Sequence, residues 1–244
     1  MRIMIIGGTS GIGLALANYY LNTGAIVAIC GRDLKRVPVD IVKVYPNIQM
    51  YEFDVADKIA VDAAIDDFAS DTLDLLIVTA GSYFNAKDIQ QNPDNAFRML
   101  QTNMIGLNNV FESASHKMMS KKSGHLVAVA SIAGLLRDYS GASLYSVTKR
   151  AVINICDAYR KALAPFSISV SIIVPGYIDT AKLRDLNGGS AKHKPFLQSE
   201  QQAVEHIVKA IERRAAKCVF PWQMHWLIKL FNCLPSPIRG LRKK

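Results

Sequence analysis

Apolar residues fall in short runs separated by longer amphipathic stretches, and the alternation continues along most of the chain. Residues 2–6 end in the unbroken apolar run Ile3 to Ile6, as a strand covered on both faces would. A helix is predicted from about Gly11 to Asn22, ending near Gly24. Ala25–Cys30, Ile48–Phe53 and Leu73–Thr79 read as strands, with an acidic helix near Asp57–Ala69 before the last of them. A long helical segment covers about Pro93–Ser120, and proline suits its start. Gly124–Ala130 reads as a strand, Ser143 to Leu163 as a helix stopped by Pro165, and Ser167–Val174 as a strand ended by Pro175-Gly176. Residues 177–198 are polar and Gly-rich and read as a mobile loop. Ser199 with Gln202 forms a capping-box pattern for a further helix, and Lys217–Phe220 reads as a last short strand.

Strands and helices in alternation mean βαβ units with right-handed crossovers, hence an α/β fold with a parallel sheet and helices on both faces. Ligands bind such sheets beyond the carboxyl ends of the strands. No repeat or linker splits the 244 residues, so the expected organisation is one domain over 1–220 followed by an extension over 221–244. Half the residues are hydrophobic and a fifth are charged, which excludes disordered, collagen-like and coiled-coil classes. The cysteines, Cys30, Cys156, Cys218 and Cys233, are scattered without a CxxC spacing. Neither a disulfide scaffold nor a metal site is expected, and a reducing compartment is the default. The opening apolar run is too short for a signal-peptide core, so a cytoplasmic protein is expected.

Candidate chemistry begins directly after the first strand, at Gly7-Gly8-Thr9-Ser10-Gly11-Ile12-Gly13. Glycines let the backbone take positive φ and approach a ligand closely, and a helix N-terminus that follows offers N–H groups to a pyrophosphate. The spacing G-x-x-x-G-x-G is neither G-x-G-x-x-G nor a P-loop. The second strand would normally end near a carboxylate for the ribose 2′-hydroxyl. Here Gly31 stands in that place and Arg32-Asp33 follow. A guanidinium pairs well with a 2′-phosphate, which favours NADP, with NAD left open through Asp33. Further on, Tyr145 and Lys149 are spaced i, i+4, so a helix carries both on one face. An ammonium beside a phenol favours the phenolate and is expected to lower the Tyr145 pKa, making it a general acid/base.

Taken together, Gly7, Gly11, Gly13, Asn103, Ser131, Tyr145, Lys149 and Pro175-Gly176 resemble the short-chain dehydrogenase/reductase family over roughly residues 2–180, in the family's order and at nearly its spacing. The resemblance implies a single Rossmann-type, doubly wound domain with a parallel sheet of about seven strands. It also implies hydride transfer between NAD(P) and an alcohol or carbonyl carbon. By that resemblance Tyr145 gives the proton to the carbonyl oxygen, Lys149 holds the nicotinamide ribose, Ser131 binds the substrate oxygen, and Asn103 bends its helix and supports a proton-relay water. Asp54, with Val55 beside it, meets the adenine; Ala80 and Gly81 pass the adenosine ribose; Pro175, Gly176, Ile178 and Thr180 line the nicotinamide. Each residue has a plainer reading as a cap or loop hydroxyl. Two other functions stay open, another chemistry such as epimerisation and a non-catalytic NADP-binding regulator. The segments 93–120 and 143–163 resemble the helices through which this family forms dimers and tetramers. A small carbonyl or alcohol substrate is expected; Tyr139, Leu144, Phe196 and the aromatics of the tail hint at an apolar one but read equally as core or interface.

Three departures from the family pattern stand out. Ile6 replaces the usual Thr before the first glycine. Val78-Thr79 replaces the usual Asn-Asn before Ala80-Gly81, so support for the central strand must come from elsewhere. Ser131 lies one residue further than usual from Tyr145, which places an insertion in Arg137–Ser143.

Charge changes the picture only at the end of the chain. Residues 1–208 hold 20 Lys+Arg against 19 Asp+Glu, while residues 209–244 hold 9 Lys+Arg against Glu212 alone. A nucleic-acid binder would carry its basic face on the body, so the net +8 marks a basic appendage instead. Drawn as a helix, Trp222–Leu234 gathers His225, Lys229 and Asn232 on a narrow stripe and is apolar over most of the rest, with Arg239, Arg242, Lys243 and Lys244 beyond it. It is too short to span a bilayer. Packing over the substrate pocket or a partner subunit, contact with an anionic membrane surface, and a frayed tail are the three readings.

Overall fold

Ile3 and Ile5 belong to one apolar cluster and Met4 and Ile6 to another, the period of two that puts successive side chains on opposite faces of a strand. They build β1 (Arg2–Ile6), an interior strand of a seven-stranded sheet. The structure, a computed structural model, describes residues 1–70, 72–136 and 143–235. The other strands are β2 (Ile26–Gly31), β3 (Gln49–Glu52), β4 (Leu75–Val78), β5 (Gly124–Val129), β6 (Ile168–Pro175) and β7 (Lys217–Phe220). Their order is β3-β2-β1-β4-β5-β6-β7, and all pairs are parallel. This is a Rossmann-type sheet. The order reverses between β1 and β4, where a crevice opens at the carboxyl edge.

The helices are α1 (Gly11–Asn22), α2 (Val39–Val44), α3 (Lys58–Phe68), α4 (Ala86–Gln91), α5 (Asp94–Leu100), α6 (Gly106–Lys121), α7 (Leu144–Leu163), α8 (Ala181–Asp185), α9 (Glu200–Glu212) and α10 (Trp222–Cys233). Helices α1 and α9 cover one face through Leu16, Ala17, Ile207 and Ile211. Helices α3, α6 and α7 cover the other through Phe68, Phe111 and Cys156.

The predicted elements recur, with α2 and α4 added to them and two segments refined. The segment 93–120 is helical throughout, as expected, but a π turn over Gln101–Ile105 sits between α5 and α6 within the continuous run. Residues 177–198 are not wholly loop, since α8 lies within them and Ile178 forms a β-bridge with Gln198. Helix α4 was absent from the periodicity, although Asn85 and Asp88 cap its start reciprocally, a signal the sequence carries. The insertion proposed at Arg137–Ser143, with Tyr139, and the basic residues from Arg239 onward lie outside the described residues apart from Ser143.

Candidate functional site

The strand ends bring Gly7–Gly13, Gly31-Arg32, Ala80-Gly81, Ser131 and Pro175-Gly176 to one edge of the sheet. The first turn is held by backbone. Gly7 and Gly8 N–H both donate to the Cys30 carbonyl, at 2.8 and 3.0 Å. Gly7 has φ +87, and a Cβ on it would stand 2.5 Å from the Ala80 nitrogen. A Cβ on Gly13 would stand 2.3 Å from the Gly7 oxygen. The turn therefore packs against both the next strand and its own helix with no room for side chains. The support that Ile6 and Val78 do not give comes from Thr79, whose hydroxyl lies 3.1 Å from the Ile6 oxygen and 3.0 Å from the Gly7 oxygen. Ser10 occupies the N-cap of α1 without capping it through its side chain. First-turn N–H groups of α1 are thus available to an anion.

Across the crevice the charges are positive. Arg32 is 3.8 Å from Asp54, an exposed pair worth little, so the guanidinium stays available. Asp33 accepts from the Lys35 N–H as a cap, and Asp54 accepts from the Ala56 N–H. Val55 is buried, and a Cβ on Gly106 would stand 2.3 Å from its Cγ2, so its side chain packs on the start of α6. Gly31, where a carboxylate was looked for, packs against Thr9: a Cβ there would meet the Thr9 side chain at 2.6 Å. Sequence reasoning missed Lys182. From α8 its Nζ reaches back to the Gly81 carbonyl at 3.1 Å. Desolvation of the amine, then the charges of Arg32 and Arg36, hold its pKa below the ordinary lysine value. Its place two residues after Thr180 was the available signal.

The acid/base group comes from α7. Ser143 caps this helix through the Ser146 N–H, and Tyr145 and Lys149 follow one turn apart. Lys149 is buried, and its Nζ donates to the Val129 carbonyl at 3.0 Å and lies 5.8 Å from the Tyr145 ring centroid. Burial, then the Lys182 charge, lowers its pKa to about 8. The expectation that Lys149 lowers the Tyr145 pKa is not met. Burial raises the phenol above its ordinary value, the hydrogen bond with Ser131 pulls it back in part, and Tyr83 adds to the rise. The reason is geometric: the Lys149 ammonium is held on the Val129 carbonyl, 5.8 Å from the ring centroid, and burial of the phenol dominates. Tyr83, also unforeseen, packs edge-on against Tyr145 with centroids 4.9 Å apart.

Ser131 both caps the short helix Ile132–Leu135, accepting from the Ala133 N–H, and meets the Tyr145 hydroxyl. Asn103 sits in the π turn, as the expected bend requires. Its Oδ1 accepts from the Ser82 N–H at 2.8 Å and its Nδ2 donates to the Ser82 oxygen and to Thr148 Oγ1. A Cβ on Gly81 would stand 3.2 Å from Lys149 Nζ and 3.4 Å from Asn103 Oδ1, so both groups converge on the Ala80-Gly81 backbone.

On the far side β6 ends at Pro175, and the Gly176 N–H donates to Phe220 at 2.7 Å. Thr180 caps α8 through the Leu183 N–H and lies above Gly11, its Cγ2 3.5 Å from where a Gly11 Cβ would be. Helix α10 closes this side: a Cβ on Gly176 would meet Met224 Sδ at 2.8 Å, and Asn232 donates to the Leu135 oxygen at 2.8 Å. The packing reading of the tail thus holds for one face of this helix.

A phosphate-bearing dinucleotide fits what these residues leave: a turn packed so tightly at Gly7 and Gly13 that its backbone is bare, an N-terminus without a side-chain cap, and Lys182 and Lys149 converging on one backbone. The profile of the short chain dehydrogenase family matches residues 1–191. An uncharacterized oxidoreductase of Staphylococcus aureus is 34% identical over 188 residues, 73% of this chain and 78% of its own. Another, from Myxococcus xanthus, is 27% identical over 245 residues, 96% of this chain and 93% of its own. The short-chain dehydrogenase from Sphingobium yanoikuyae in complex with NADPH has the same fold, with a TM-score of 0.80 at 18% identity and all of both chains covered. The profile match and the S. aureus relative place this chain in the short-chain dehydrogenase family, as an oxidoreductase.

Proposed function

We propose that the chain is an NADP(H)-dependent reductase of a small carbonyl compound, with Tyr145 as its acid and Ser131 holding the substrate oxygen. The observation that carries it is the Tyr145 phenol, hydrogen-bonded to Ser131 one helical turn from buried Lys149 at the mouth of the sheet. Gly7–Gly13 and the first turn of α1 would cradle the diphosphate, Arg32 would take the 2′-phosphate, and Ile178 and Thr180 would border the nicotinamide. Held there, such a dinucleotide would supply the hydride-transfer chemistry at the carbon of the substrate.

The chain's own groups handle the proton. A phenol held above its ordinary pKa stays protonated at neutral pH, which suits donation to a carbonyl oxygen. Ser131, already bonded to that phenol, is placed to orient the same oxygen. Lys149, titrating near pH 8, sits where it can restore the phenol's proton through the Asn103 and Gly81 side of the crevice. Phe97, Ile105 and Val147 are exposed on or between α5, α6 and α7, which supports a homo-oligomer formed through these helices.

The test is NADPH oxidation across a carbonyl panel. Tyr145→Phe should lower kcat by about 10²–10⁴ while NADPH still quenches protein fluorescence. Equal turnover in both proteins would overturn the assignment. Arg32→Ala should cost about tenfold in kcat/KM for NADPH and leave NADH unchanged.

A further inference from the structure

Helix α10 has two faces with different fates. Its inner face is fixed to the domain by Met224 against Gly176, by Ile228 in the core at 8% exposure, and by Asn232 on Leu135. Its outer face is open. Trp222, Trp226 and Leu230 follow one another at intervals of four residues and are 66%, 63% and 66% exposed, with Leu227 beside them at 54%. At ~100° per residue these side chains share one broad stripe. Large apolar groups gathered this way mark an interaction surface.

Charge decides what covers it. The Lys229 ammonium lies 5.0 Å from the Trp226 ring centroid, and Lys217 and Lys229 both press on His225, so cations border the stripe. No Asp or Glu occurs after Glu212, and residues 209–244 carry a net +8 against +1 for the rest. Two such faces set against each other would repel, which disfavours a second copy of the chain. Indole rings prefer the level of lipid headgroups, and cations prefer anionic ones. The helix is 12 residues, about 18 Å, and no helix among the described residues is long and apolar enough to cross a membrane. A short amphipathic helix of this kind lies in the plane of the interface.

We propose that the outer face of α10 docks the protein on an anionic bilayer surface, with Trp222, Trp226, Leu227 and Leu230 inserted at headgroup level and Lys229 over the lipid charges. The inner face of the same helix walls the site beside Gly176 and Leu135, so docking places that wall against the membrane. This inference does not depend on the reductase reading, and its test needs no turnover.

The test uses a convenience of the sequence: Trp222 and Trp226 are the only tryptophans. Emission of the full chain is recorded with vesicles of equal parts phosphatidylcholine and phosphatidylglycerol, and with phosphatidylcholine alone. A blue shift on the anionic vesicles only, reversed at about 1 M salt where the Debye length is about 3 Å, is the expected result. Leu227→Asp with Leu230→Asp, at positions too exposed to disturb the fold, should weaken vesicle binding about tenfold or more by co-sedimentation. Emission unchanged by vesicles would overturn the proposal. So would an equal shift on uncharged vesicles, or a shift without lipid that grows with protein concentration, which would assign the face to a second copy.

Discussion

The two walls of the crevice are built on different principles. The first, Gly7–Gly13 with the end of β4, is backbone against backbone, with virtual Cβ distances of 2.3 and 2.5 Å that leave no freedom. The second, Thr180–Asp185, is held by side chains: a threonine cap, an Arg184–Asp179 pair at 3.0 Å and the reach of Lys182 to Gly81. A wall of the first kind fixes the residue at each position. A wall of the second kind can be rebuilt from other residues and can move without breaking the sheet. The sharpest break of this comparison is Gly13→Val. Its branched side chain would drive into the Gly7 carbonyl and Thr79, and overpacking of this sort costs about 1–3 kcal/mol or more. A loss of cofactor binding and a Tm lowered by about 5–10 °C are expected, measured by thermal unfolding with and without NADPH.

The amino edge of the sheet serves as a control away from both walls. There His125 is buried and bonds Ser171 Oγ at 2.7 Å, while that hydroxyl donates onward to the Ala215 carbonyl at 2.7 Å, which makes the imidazole a neutral Nε2–H donor. Burial, then the Arg214 charge, lowers its pKa from 6.5 to about 4. The unfolded chain thus binds the extra proton between pH 6.5 and 4, so stability is present above pH 6.5 and is lost as pH falls to about 4. The loss is on the order of 3 kcal/mol. Urea unfolding at a series of pH values should show this slope, and His125→Gln should flatten it while leaving the crevice able to bind NADPH.

Next comes the movable wall. Lys182→Met keeps the length of the side chain and removes its charge. If Lys182 leaves Gly81 to meet a phosphate, KM for NADPH should rise about tenfold with kcat little changed and no fall in Tm. A Tm drop without a KM change would instead make Lys182 a structural strut, and the two walls would be more alike than their contacts imply.

The same contrast explains what the sequence disclosed. Strands of unbroken aliphatics, the glycine turn and the Tyr145/Lys149 spacing are local patterns with a physical cause, and they recur in the structure with small boundary shifts. Thr79 departs from the family pattern, but its task of bridging the Ile6 and Gly7 oxygens joins it to residues 73 and 72 positions away and leaves no local trace. The π turn at Asn103 was anticipated only as a bend. Tyr83 escaped because nothing local separates it from solvated residues, and for Lys182 the only local signal is its place after Thr180; tertiary folding brings them to Tyr145 and Gly81. The Tyr145 pKa went the wrong way for a similar reason: spacing predicts that an amine is near, not that a carbonyl holds it and burial outweighs it.

The smallest effect lies where the walls touch. Gly11 has φ +54, and a Cβ there would meet Thr180 Cγ2 at 3.5 Å, an ordinary contact. Unlike Gly7 and Gly13 it is required by conformation alone. Gly11→Ala should therefore cost only the left-handed backbone strain of about 1 kcal/mol, a Tm fall of about 2–4 °C, and Gly11→Asn should recover part of it because asparagine tolerates that region. Both variants should still bind NADPH. A fall as large as that of Gly13→Val would mean that Thr180 cannot yield, and the second wall would then be as rigid as the first.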